Sequence, residues 1–114
     1  DLVASTMLLH ELPPKGVQNV ISEAHRVLKP GGKMAHLDFY LLPDQFRRFI
    51  HFGHSIRNNE PYMQSFAKMN ITRIMEAQGF SNITIEPFEE ADGVLDPKYP
   101  AWRFPWTVIS AKKI

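Results

Sequence analysis

His10 and Glu11 are the first neighbours in this chain that could do chemistry together. An imidazole beside a carboxylate can move a proton or hold a metal ion. A zinc helix of the H-E-x-x-H kind needs a second histidine one turn later. Here Leu12, Pro13 and Pro14 follow, and two prolines oppose a helix at that point. His51 and His54 stand three apart, a helical spacing that can suit a metal, but no third ligand falls beside them. The expectation is therefore no metal site, with Arg47, Arg48, His51 and Arg57 forming a solvated basic face. The absence of cysteine excludes disulfides and thiolate metal sites. Gly31 and Gly32 follow a helix instead of joining a strand to one, so they are not a phosphate-cradling G-x-G-x-x-G loop.

The elements that would position these residues alternate. Asp1 to Ser5 is a short apolar run, consistent with a buried strand. The two prolines are tolerated in the first turn of a helix. Val17, Val20, Ile21, Ala24, Val27 and Leu28 then recur at helical steps on one face. Pro30 stops that helix, Gly31 and Gly32 reverse the chain, and a strand runs from Lys33 to Tyr40. In that strand Ala35, Leu37 and Phe39 face one way, and Met34, His36, Asp38 and Tyr40 the other.

Pro43 and Asp44 open a short or broken helix, with Asp44 as its cap. Phe46, Phe49, Ile50 and Gly53 would form one face of it, and Arg47, His51 and His54 another. A further helix is expected from about Tyr62 to Gln78, ending at Gly79. Strands follow over Asn82 to Phe88, with Ile83 and Ile85 inward, and over Trp106 to Ala111. Between them lies a polar, proline-bearing loop in which Trp102 and Phe104, with Trp106, would cap the sheet end. The early alternation argues for parallel strands, because parallel neighbours need a crossover. The last two strands have no helix between them and should pair antiparallel.

The 114 residues fit one small domain, here a single unit over 1–114. With 44% apolar and 22% charged residues the chain is of ordinary globular composition. A net charge of +1 offers no electrostatic case for nucleic acid or an anionic membrane. No apolar run is long enough to span a bilayer, and the composition suits a cytoplasmic protein. The chain opens on "DLVAS", directly in what reads as a strand, so that a preceding part of the domain is expected to be missing.

"DLVASTMLLHEL", "EAHRVLKPGGKMAHLDF", "EAQGFSNITIE" and "WTVISAKK" occur in that order. Together they resemble the C-terminal half of class I S-adenosylmethionine-dependent methyltransferases. The type 11 group, which includes ubiquinone/menaquinone C-methyltransferases, is the nearest in look. "RVLKPGG" is the most specific of these elements. The resemblance implies an α/β, Rossmann-like half-fold. Its mixed four-stranded sheet would follow the family's strand order 4-5-7-6, with two or three helices mainly on one face.

It also implies S-adenosylmethionine as cofactor, with Ser5, Thr6 and Met7 as the remnant of its site at the end of family strand 4. His10 is a weak candidate base, and Asp38 and Tyr40 lie on the rim that faces substrate. The family's glycine-rich cofactor loop and the acidic residue at the end of family strand 2 have no counterpart among these residues. A truncated methyltransferase, weak or inactive alone, with S-adenosylmethionine or no cofactor bound, is the first expectation. The alternative is a non-enzymatic dimerisation or interaction module. Either way the partner would be a second copy, through the bare sheet face or the strand-4 edge, or a complementary N-terminal half.

Overall fold

A computed structural model describes residues 1–42, 45–88 and 106–114. The strands are β1 (Leu2–Thr6), β2 (Lys33–Phe39), β3 (Phe80–Pro87) and β4 (Trp106–Lys113). The helices are α1 (Pro14–Val27), α2 (Gln45–Arg57), α3 (Met63–Lys68) and α4 (Ile71–Gln78), with a 3₁₀ turn over Leu9–Glu11. The sheet runs β1-β2-β4-β3. β1 lies parallel to β2 with Ser5 opposite His36. β4 lies antiparallel to both β2 and β3, with Ile109 opposite His36 on one side and Ile85 on the other. The strand latest in sequence is thus inserted between its two predecessors, which is the expected 4-5-7-6 order.

The "RVLKPGG" joint has a physical account. α1 starts after Pro13, whose extended backbone suits the cap position, with Pro14 in the first turn. It buries Val17, Ile21 and Ala24, and Leu28 leaves helical angles just before Pro30. Gly31 then takes φ 83, and its N–H donates to the Lys113 carbonyl at 2.9 Å. The Lys113 ammonium donates to the carbonyls of His25 (2.5 Å) and Leu28 (2.7 Å). A cation thereby caps the end of α1 where the helix dipole is negative.

One face of the sheet is covered and the other is more open. Met34, His36, Asp38, Thr107, Ile109 and Ala111 are buried on the covered face. Ala35 and Leu37 are only half-buried on the other, and Ala4 and Thr6 are exposed there. The core joins Val17 and Ile21 of α1, Phe66 of α3, and Ile71 and Met75 of α4 to Met34, Phe80 and Ile109 of the sheet. Ile83 and Ile85 pack against it from β3.

Two helical expectations change. The helix expected over Tyr62 to Gln78 is broken in two. Met69 adopts ψ 140, and the Asn70 side chain accepts from the Arg73 N–H at 3.1 Å to start α4 afresh. The described residues therefore hold four α-helices where two or three were expected. α2 is also turned around. It buries His51 and Ser55, while Phe46 is 54% exposed and Phe49 73%. The cap expected at Asp44 and the loop carrying Trp102 and Phe104 lie outside the described residues.

Gly79 ends α4 at φ 96, where a Cβ would also lie 2.9 Å from the His25 Nε2. Gly79→Ala should destabilise the protein by about 1–2 kcal/mol, the cost of a left-handed backbone for an L-residue. Thermal denaturation measures it, and an unchanged midpoint would contradict this account.

Candidate functional site at the carboxyl ends of β1 and β2

At the end of β1 the chain makes a sharp departure. Met7 holds φ 58, an uncommon value for a residue with a side chain, and its N–H donates to the Leu37 carbonyl at 2.9 Å. This kink leaves Thr6, Met7 and Leu8 exposed and drives Leu9 and His10 inward through the 3₁₀ turn. Strained backbone of this kind concentrates at ligand sites.

Asp38, near the end of β2, is fully buried. Its carboxylate accepts from the Leu9 N–H (2.7 Å), the Phe39 N–H (2.8 Å) and the His10 Nδ1 (2.5 Å). Because the Nδ1–H donates to Asp38, neutral His10 presents a lone pair at Nε2, and that atom is buried without a hydrogen-bond partner. Burial by itself would lower the proton affinity of His10. The hydrogen bond and charge of Asp38, then the charges of Glu60 and Glu11, outweigh it, and the pKa is raised.

Two further histidines behave oppositely. His36 Nδ1 lies 2.5 Å from Ser5 Oγ, while its Nε2 is buried without a partner. The tautomer that leaves no orphan N–H therefore puts the proton on Nδ1, donating to Ser5. Burial lowers the His36 pKa to about 4 against a smaller opposing pull from Asp38. His51 packs edge-on against Phe39 at 6.1 Å between ring centroids. Its pKa also falls to about 4, through burial first and then the nearby His54 and His10. His51 is thus not part of a solvated basic face.

α2 and the turn after it bring in a carboxylate that the sequence did not single out. Asn59 takes φ 53, and the Glu60 N–H donates to the Ser55 carbonyl at 2.9 Å, folding Glu60 back toward the site. Its Oε1 lies 3.7 Å from His10 Nε2 and its Oε2 lies 3.5 Å from His54 Nε2. Tyr40 goes elsewhere. Its hydroxyl donates to the Met69 carbonyl at 2.5 Å, and its ring joins Leu42, Arg48, Phe52 and Lys68 around a cleft of about 460 Å³.

Of the residues singled out beforehand, His10 and Asp38 are bonded to each other and Ser5 is bonded to His36, with Thr6 and Met7 exposed at the end of β1. Tyr40 belongs to the neighbouring cleft. Asp38 acts by holding His10 and the backbone, since no part of it reaches solvent.

Residues 1–36 match the methyltransferase domain family (Methyltransf_11). An uncharacterized methyltransferase of Synechocystis sp. is 50% identical over 40 residues, which are 35% of this chain and 19% of that protein. The fold is shared with an O-methyltransferase family protein from Burkholderia thailandensis: TM-score 0.61, 14% identity, 98% of this chain and 30% of that one. It is shared too with the Haemonchus contortus phosphoethanolamine N-methyltransferase 2 solved with S-adenosyl-L-methionine: TM-score 0.56, 16% identity, 98% of this chain and 33% of that one. This chain is methyltransferase-like in sequence over residues 1–36, and across its length it shares the fold of part of these solved methyltransferases. It spans about a third of the length of these two solved structures and about a fifth of the curated relative. Among the described residues no helix is long and apolar enough to cross a membrane.

Two predictions follow from the buried network. Asp38→Ala strands three N–H donors and should cost about 3–5 kcal/mol in urea unfolding; a loss under about 1 kcal/mol would mean the carboxylate is solvated instead. His36 sets an acid limb. Its folded pKa of about 4 lies below the ordinary 6.5, so its contribution is complete above pH 6.5 and is lost as the pH falls from 6.5 to 4. His36→Gln should flatten that limb by at most roughly 3 kcal/mol, measured as unfolding free energy at a series of pH values. An acid limb identical in the variant would refute the assignment.

Proposed function

We propose that this chain forms the acceptor-side wall of an S-adenosylmethionine-dependent methyl-transfer site. The kink at Met7, which exposes the end of β1 beside the His10–Asp38 pair, carries the reading. Ligands of open α/β sheets bind beyond the carboxyl ends of the strands, where this kink lies. The residues fit one wall of a cofactor site. Ser5 Oγ, once it accepts from His36, keeps a hydroxyl proton to donate, and Thr6 and Met7 are open to contact. Gly31 and Gly32 do not contribute to that wall, because they are engaged at the exit of α1.

S-adenosylmethionine, when bound, supplies an electrophilic methyl group. The chain's own residues then have to hold the acceptor in line and keep water away, which is mostly proximity and orientation. His10 is placed to take a proton from an acceptor at Nε2, with Asp38 fixing its tautomer and ring. With only this wall, the chain alone binds cofactor weakly or not at all.

A second reading is an interaction module built on the same half-fold. Among the described residues β1 pairs only with β2, so its outer edge presents free backbone donors and acceptors. The partner there is a preceding methyltransferase half or a second copy of the chain.

Calorimetric titration with S-adenosylmethionine and S-adenosylhomocysteine, alongside light scattering, separates these readings. Weak or absent heat from the chain alone, with micromolar binding restored by an added N-terminal methyltransferase half, is the expected result. A stable dimer without binding under either condition would overturn the methyl-transfer reading in favour of the module.

A further inference from the structure

We propose that His10, Glu11 and Glu60 form a divalent transition-metal site. Their ligand atoms all lie within 4.8 Å of one another. Ligands on a cation with bonds near 2.1 Å sit about 3–3.5 Å apart, so a small closure brings the three into range. Glu11 is exposed and free to swing, and Glu60 already approaches His10 Nε2 to 3.7 Å.

The second and independent observation is His10 itself. It is 1% exposed, its Nε2 has no hydrogen-bond partner, and that atom faces Glu60. A buried ring nitrogen left bare is costly unless something occupies its lone pair. The Asp38 carboxylate on Nδ1 is the outer-shell partner that metal-bound histidines usually have, and it selects the tautomer that coordinates through Nε2. Asp38, Glu11 and Glu60 also place three carboxylates around one imidazole, a charge excess that a dication offsets. His54 Nε2 lies 3.5 Å from the second Glu60 oxygen.

One imidazole with two carboxylates suits a borderline cation such as Zn²⁺ over Mg²⁺, which prefers an all-oxygen shell and its own waters. Glu11 is exposed and Glu60 only part-buried, so coordination positions remain open on the solvent side for water or an oxygen-bearing ligand. This site shares His10 Nε2 with the methyl-transfer reading, and a bound ion would take the place of that base, but its test reads metal binding alone.

The experiment titrates chelator-treated protein with Zn²⁺ by calorimetry, and with Co²⁺ by visible absorption, with Mg²⁺ as the contrast. One equivalent of Zn²⁺ should bind, Co²⁺ should give d–d bands, and Mg²⁺ should bind far more weakly. Glu11→Gln changes an exposed side chain and leaves the fold intact by circular dichroism, yet should weaken Zn²⁺ binding at least tenfold. Glu60→Gln should do the same, and His25→Asn, remote from the site, should not. The absence of saturable Zn²⁺ binding would overturn the proposal. So would binding that survives both glutamate variants, which would place the ion on other histidines.

Discussion

A buried carboxylate organises this end of the molecule. Placing an anion where no water reaches is unfavourable by several kcal/mol unless its oxygens are met by donors. Asp38 meets that condition with two backbone N–H groups and one imidazole, all from residues that would otherwise have no reason to converge. The turn after β1 is drawn onto the end of β2, His10 is fixed in one tautomer, and the kink at Met7 is held in place. The exposed rim exists because the group beneath it must be satisfied.

The same requirement explains the inverted helix. The end of the sheet offers α2 the polar groups of His10 and Asp38 beside the ring of Phe39. α2 therefore turns His51 and Ser55 inward. Ser55 settles its hydroxyl on the Phe52 carbonyl at 2.8 Å, and His51 stays neutral because neighbouring histidines and burial both oppose its charge. Phe46 and Phe49 are left facing outward. Side-chain chemistry at one end of the sheet has overruled the ordinary rule that a helix buries its apolar stripe.

Most of the fold was legible because its signals are local. The prolines around α1, the Gly-Gly exit and the strand runs each carry their own backbone preferences, and their order carries the resemblance. The break at Asn70 was harder to see, since an apolar stripe continues across it and only the cap marks the restart. The site was half legible. Ser5, His10 and Asp38 could be named from their positions at strand ends. Glu60 could not, because its approach depends on a left-handed Asn59 and on the orientation of α2, neither of which periodicity reports. Asp38 and His36 on the covered face contradict simple alternation of polar and apolar residues, as buried functional networks tend to.

The position of β4 has a consequence for how the molecule is assembled. β2 and β3 are both complete well before β4 in the chain, yet neither hydrogen-bonds to the other; each waits for the same late strand. During synthesis both carry an open edge, the state most prone to mispairing. When β4 enters, it closes the two ladders at once, and Lys113 locks the end of α1 from a sequence distance of 85 and 88 residues. Such long-range closure makes for slow, cooperative folding. The two ladders of β4 are therefore acquired late and together, after every described helix has already been made.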